Sequence, residues 1–192
     1  MKKLSTLAVS LSLTFVLLVA CKGEEKNYVS IPSLIEEQVA HIDTSLYSIT
    51  KYIYKGTDTI PVDTFYIRRE DFRNEAYAFL QLPDLSLSKL AKRFNEESRY
   101  DELLKRVILT YTPKNAKEED WQKFEVMIAP EPATGDKVTT ILANKVVNNR
   151  KGLLQEDMLW MMGHSFQVTR IAQLPGEEAV TTTYKVIWND QN

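Results

Sequence analysis

Apolar residues recur at helical spacing just after residue 30 and predict one amphipathic helix over about residues 31–43. Pro32 suits the first turn of such a helix, where its missing amide proton is not needed. Ser33 and Glu36 offer an alternative start, because this spacing is typical of a capping box. The residues that form the apolar stripe are Ile31, Leu34, Ile35, Val39 and Ile42.

Two runs of β-branched and aromatic residues follow this helix and predict a β-hairpin. The first run extends from Leu46 to Lys55 and the second from Ile60 to Ile67. Gly56-Thr57-Asp58 lies between them and has the composition of a turn.

Helical spacing of apolar residues returns from Arg69 to about Leu80, and Pro83 ends the pattern. A shorter helical segment follows, with Ser86 as its expected N-cap. We therefore expect two helices joined by a kink at residues 82–85. The charged stretch from Asn95 to Glu102 is expected to be a connection that leads out of them.

After Leu103, alternation of apolar and polar residues predicts an antiparallel meander of six strands. Turn residues at hairpin spacing separate the later strands, at residues 148–152, 163–164 and 175–177. The predicted strands are centred on residues 106–111, 123–128, 138–147, 153–162, 165–174 and 180–188.

The predicted order is one helix, two strands, two helices and six strands, without the strand–helix alternation that builds a parallel sheet. This order predicts an α+β fold in which one antiparallel sheet packs on the helices. We expect the sheet to be curved, or rolled towards a half-barrel. Residues 31–192 are expected to form a single domain, since their number suffices for a core that needs no disulfides.

The first 21 residues differ in character from the rest. Met1-Lys2-Lys3 precedes an apolar stretch from Leu4 to Val19 that is too short to predict a spanning helix. Leu18-Val19-Ala20-Cys21 closes this segment, and Cys21 is the only cysteine of the chain. The arrangement resembles the lipobox of bacterial lipoproteins. An ordinary secretory signal and an uncleaved anchor helix are the alternatives.

The resemblance implies cleavage before Cys21, a lipid on its sulfur and acylation of the new amine. Residues 1–20 are then a signal peptide, and residues 21–30 are a flexible tether to the membrane. Burial of each acyl CH₂ in the membrane contributes roughly 0.8 kcal/mol, so a protein that carries several acyl chains should leave the membrane slowly. Lys22-Gly23-Glu24-Glu25 is similar to a surface-export signal of some Gram-negative lineages. We expect a bacterial outer-membrane lipoprotein, on either the periplasmic face or the cell surface.

Charge and residue usage limit the expected chemistry. Removal of residues 1–20 leaves 22 basic and 26 acidic residues, so we expect no nucleic-acid partner. A lipidated Cys21 is no nucleophile, and only His41 and His164 offer an imidazole base. Neither lies in a recognisable catalytic motif, and two histidines are too few for a typical zinc site. We expect no metal and no cofactor.

The segment Met158-Leu159-Trp160-Met161-Met162 contains the one candidate binding surface. In a strand Met158, Trp160 and Met162 face one way, whereas Leu159 and Met161 face the other. Methionine and tryptophan surfaces suit apolar ligands or protein partners. Core packing is the alternative, because a strand that is covered on both faces has the same pattern.

The leading functional hypothesis is a non-enzymatic binding or accessory lipoprotein, which holds a partner protein or an apolar ligand on the concave face or an edge of the sheet. A hydrolase that uses unidentified Asp and Glu residues is an alternative, and a structural component of an outer-membrane complex is another. Most neighbouring acids are adjacent in sequence, so no glycosidase-type pair can be selected.

Overall fold

A computed structural model of the chain describes residues 29–189. The predicted signal peptide, Cys21 and the first part of the predicted tether lie outside the described residues. In the part that is described, none of the helices has the length and apolar character of a membrane-spanning segment. The helical elements are α1 (Ile31–Thr44), a 3₁₀ turn (Arg69–Asp71), α2 (Phe72–Glu75), α3 (Tyr77–Leu80) and α4 (Ser88–Ala91).

Nine strands within residues 29–189 form one antiparallel sheet, which confirms the α+β class. Their order across the sheet is β2-β1-β9-β8-β7-β6-β5-β4-β3, so the sheet is not closed into a barrel and β2 and β3 are its edges. The rolling towards a half-barrel stays a prediction. The strands are β1 (Ile49–Lys55), β2 (Asp63–Ile67), β3 (Phe94–Asp101), β4 (Arg106–Pro113), β5 (Trp121–Ala129), β6 (Lys137–Asn149), β7 (Gly152–Met161), β8 (Ser165–Gln173) and β9 (Val180–Ile187).

Helix α1 confirms the helix predicted over residues 31–43. Four residues of its stripe, Ile31, Ile35, Val39 and Ile42, are fully buried in the core that also contains sheet residues, and Leu34 is partly buried against that core. The helix begins directly after Ser30 and does not use the capping box, since Glu36 instead binds Arg73 with an oxygen–nitrogen distance of 2.6 Å.

The predicted hairpin is confirmed as β1 and β2. Gly56 has a φ of +60°, and the amide of Asp58 donates to the carbonyl of Lys55 across the turn. The hairpin is part of the main sheet, because β1 pairs with β9 along its length. The first strands of the chain therefore lie beside the last.

The prediction of two helices over residues 69–94 was wrong in length. Phe72, Ala76, Phe79, Leu82 and Leu85 are all buried at helical spacing, but the helical backbone is interrupted after Glu75 and Leu80. Phe72 on α2 and Phe79 on α3 pack on aromatic residues of the sheet, and these short turns take the place of a continuous helix. Ser86 is not a cap, because its amide and its hydroxyl both donate to Asp84.

The prediction that residues 95–102 form a connection was also wrong. Residues Phe94–Asp101 form β3, which pairs with β4 from Phe94 opposite Pro113 to Asp101 opposite Arg106. The meander therefore has seven strands rather than six. Most side chains of β3 are polar and exposed. Charged side chains on an edge strand hinder its pairing with other chains.

The core lies between the helical elements and one face of the sheet, here called the covered face. Phe72 and Phe79, on the helical turns, pack against the aromatic side chains of the sheet. The ring centroids of Phe72 and Trp188 are 5.2 Å apart, and those of Phe79 and Trp160 are 5.0 Å apart. Residues that alternate with the core positions form the opposite face, here called the open face, which no helix of residues 29–189 covers.

Candidate functional site

The candidate surface of Met158, Trp160 and Met162 lies on the covered face. Met158 is 4% exposed and Trp160 is 0% exposed, and the partly buried Met162 packs against the same core. Rings of Phe72, Phe79 and Phe166 surround Trp160. Both side chains are packed as in the core-packing alternative, and Trp160 presents no surface to a ligand.

Leu159 and Met161 lie on the open face, as the alternation predicts. Leu159 lines a groove that crosses four strands, from β5 to β8, with a volume of about 350 Å³. This groove is here called the open-face groove. Its lining residues are Lys123, Glu125, Leu142, Ala143, Asn144, Asp157, Met158, Leu159, Gln167 and Thr169.

Strand register explains the layout of the groove. Leu142 on β6 and Leu159 on β7 are directly paired and form an apolar floor. The same row of pairs continues to Glu125 on β5 and to Gln167 on β8. The adjacent row contains Asn144, opposite Asp157. Polar side chains therefore bound the short apolar floor at both ends of its row and along the row of Asn144 and Asp157, whereas the row on its other side contains Met127, Thr140 and Met161.

Both acids of the groove are held by neighbouring donors. Lys123 Nζ lies 2.9 Å from Glu125 Oε1. Asp157 accepts from Asn144 Nδ2 at 2.6 Å and from Gln155 Nε2 at 2.9 Å. These contacts fix the directions of the carboxylates and leave further lone pairs for a ligand. The arrangement is suited to recognition of amide and ammonium groups.

A second depression of about 300 Å³ continues the groove towards β1. It shares Gln167 with the open-face groove and adds Tyr54, Asp58, Thr183 and Lys185. With about 4.8 Å between neighbouring strands, the path across the six strands from β5 to β1 is roughly 24 Å long. At about 3.3 Å per residue, this length matches an extended segment of roughly seven residues.

Neither histidine lines the groove. His41 lies on α1, where its ring meets Tyr47 edge-on with centroids 6.1 Å apart. His164 lies in the β7–β8 turn, and its Nδ1 is hydrogen-bonded to the carbonyl of Asn189. Across residues 29–189 no group of three or more His, Cys, Asp or Glu side chains is arranged to hold a metal ion.

Sequence reasoning missed the groove because its residues come from four strands. The available signal was the apolar side chain of Leu142 or Leu159 at a position that alternates with the core and therefore faces away from it. The pairing of Leu142 with Leu159 follows only from the register of β6 and β7, which the sequence pattern does not give. Comparison with family models, with curated proteins and with solved structures gives no match.

Proposed function

We propose that this chain is a lipid-anchored, non-enzymatic binding module of the bacterial outer membrane, and that it holds an extended segment of a partner protein in the open-face groove. The observation that carries the proposal is the paired floor of Leu142 and Leu159 between polar walls. An apolar floor contributes affinity, and fixed polar groups at its border supply orientation.

A protein segment suits this groove better than a free apolar ligand. The floor contains two leucines, and the groove is open along the sheet, so an apolar molecule would keep much of its surface in water. An extended peptide places alternate side chains towards the floor. Its backbone amides and carbonyls then meet Asn144, Gln167 and Thr169 at the walls.

The lipid anchor rests on the resemblance of Leu18-Val19-Ala20-Cys21 to a lipobox. Acylation at Cys21 would hold the module at one membrane, on the periplasmic face or at the cell surface. Labelled palmitate should appear on the expressed protein and disappear in the Cys21→Ser variant. An unmodified Cys21 thiol in the mass spectrum would contradict the anchor.

A hydrolase is the second candidate, because Glu125 and Asp157 line the same groove from β5 and β7. Such an enzyme needs both carboxylates, one as an acid and one as a base or nucleophile. Glu125→Gln and Asp157→Asn would then each abolish turnover of a polysaccharide or peptide substrate. Binding without turnover, by a wild-type protein whose partner survives intact, favours the module.

Site-specific photo-crosslinking tests the groove in intact cells. A photoreactive amino acid at Leu159 should give one crosslinked partner, and the additional change Leu142→Glu should abolish that product while the protein stays folded. The same photoreactive residue at Lys89, an exposed position on α4, is the control. Absence of a product from Leu159, or an identical product from Lys89, would refute the proposal.

A further inference from the structure

Three leucines of the described chain are exposed in the turns at one end of the sheet. Leu46 and Leu103 are each 97% exposed, and Leu104 is 53% exposed. Leu46 lies between α1 and β1, whereas Leu103 and Leu104 form the tip of the β3–β4 turn. Grouped exposed apolar side chains often mark a contact with a membrane or a protein, and Leu103 and Leu104 are adjacent in one turn.

The topology brings these leucines to the same end of the strands. In an antiparallel sheet, β1 begins where β9 ends, and each strand onward to β3 alternates in direction. The start of β1 and the β3–β4 turn therefore share one strand end with the β5–β6 and β7–β8 turns. Leu46 stands near one lateral margin of this end, and Leu103 stands at the other.

The β3–β4 turn is held in an ordered conformation that projects its leucines. Asp101 Oδ1 accepts from the amides of Leu103 and Leu104, at 3.1 and 3.0 Å. The amide of Leu104 first, and then Arg99, keep the pKa of the Asp101 carboxyl below its usual range. Arg106 Nη1 donates to the carbonyl of Lys105 at the base of the turn.

Helix α1, which follows the predicted tether, lies at this same strand end. Gln38 Oε1 accepts from the amide of Gly163 in the β7–β8 turn at 2.5 Å, and the helix leads directly into the start of β1. Residues 22–28 separate Cys21 from Val29, the first described residue. The eight steps from Cys21 to Val29 span at most about 29 Å, so a lipid on Cys21 keeps the start of this helix within that distance of the bilayer.

We propose that this strand end is the membrane-facing surface of the protein, and that Leu46 and the Leu103–Leu104 turn enter the headgroup region of the bilayer that holds the anchor. The inference rests on the proposed lipid anchor. Lys105 and Arg106, at the base of the turn, then meet lipid phosphates. The strands stand upright on the membrane, with the β1–β2 and β8–β9 turns farthest from it.

The orientation of the protein on the membrane can be measured with a fluorophore attached to single introduced cysteines. Leu46→Cys and Leu103→Cys are labelled with an environment-sensitive dye, in the full chain purified from membranes and reconstituted in phosphatidylethanolamine–phosphatidylglycerol vesicles. Leu174→Cys and Ile60→Cys are the matched controls, because these exposed residues lie in the turns of the opposite strand end. A nitroxide lipid should quench the dye at positions 46 and 103 and leave positions 60 and 174 unquenched.

The outcomes separate this inference from the anchor. Absence of quenching at positions 46 and 103 in vesicle-bound protein overturns the inference and leaves the anchor intact. Quenching at positions 60 and 174 overturns it as well. Labelling of the parent chain without an introduced cysteine reveals a free Cys21 thiol, which refutes the anchor instead.

Desorption provides a second measurement that needs no label. The double variant Leu103→Asn/Leu104→Asn should transfer between vesicles at least about tenfold faster than the wild type, because two buried leucines no longer oppose release. Leu174→Asn should transfer at the wild-type rate. Equal rates for all three proteins, with unchanged circular dichroism, contradict a membrane contact of the turn.

Discussion

The indole of Trp160 stacks on the ring of Phe166, with centroids 5.2 Å apart and planes inclined by 15°. The two residues are direct cross-strand partners in β7 and β8. Phe79 rests on both rings, at 5.0 Å from Trp160 and 5.2 Å from Phe166. The stacked pair is thus the platform that fixes the helical turns on the sheet, while its neighbour Leu159 faces the groove.

This division predicts losses of stability of very different size for two adjacent substitutions. Trp160→Ala should lower the free energy of unfolding by about 3–5 kcal/mol, because it opens a cavity beneath Phe79. Leu159→Ala should cost only about 1 kcal/mol, since the side chain is half-exposed. Urea unfolding followed by circular dichroism measures both values. Similar losses for the two variants would mean that both faces of β7 are buried equally.

The pattern of the chain was sufficient for α1 and for the last six strands because each has one buried face. The stripe of Ile31, Ile35, Val39 and Ile42 and the alternation that ends at Trp188 both follow from that one-sided burial. β3 was missed because it is an edge strand whose core contact is made mainly by Phe94. Local periodicity carries little signal where few side chains are buried.

Two other features depend on contacts between distant residues. The helical backbone is interrupted after Glu75, where Phe72 and Phe79 pack on Trp160. Helix propensity is a local property and does not predict such tertiary contacts. The groove requires the pairing of Leu142 with Leu159 and of Asn144 with Asp157, which only the register of the sheet defines. The choice between core and binding surface at Met158 and Trp160 likewise depended on which face the helices cover.

The ion pair between β1 and α2 is predicted to stabilise the attachment of the hairpin edge. Lys51 Nζ lies 2.7 Å from Glu75 Oε2, both side chains are about one-fifth exposed, and the ammonium group lies over the ring of Tyr184. Lys51→Met should lower the free energy of unfolding by about 1–2 kcal/mol, because it leaves a partly buried carboxylate without its donor. Lys55→Met, at the exposed end of the same strand, is the control and should have little effect. Equal unfolding midpoints for the two variants would contradict this role.

Gly152 is predicted to be irreplaceable at the start of β7. Its φ is +130°, and a Cβ at this position would lie 2.2 Å from the carbonyl oxygen of Gln173 on β8. Gly152→Ala should therefore cost at least about 2 kcal/mol, from backbone strain and displacement of the neighbouring strand. Gly135→Ala is the matched control, because Gly135 also has a positive φ but an added Cβ meets nothing within 4 Å. Thermal unfolding should show the larger loss for Gly152→Ala, and the reverse order would refute the close approach.

Tyr184 lies on the covered face beside Phe166, and its burial predicts a loss of fold stability at alkaline pH. Burial of the phenol raises its pKa to about 12, whereas a tyrosine in an unfolded chain ionises near pH 10. The folded protein thus holds this proton more tightly than the unfolded chain does. The stability that the protonated phenol contributes is therefore fully present below about pH 10 and is lost as the pH rises towards about 12. Tyr184→Phe has no proton to release. Its stability should fall less than that of the wild type across this range, by no more than about 2 kcal/mol because solvent reaches part of the ring. Urea unfolding of both proteins at a series of pH values tests this, and parallel pH profiles would show that Tyr184 ionises equally in the folded and unfolded chains.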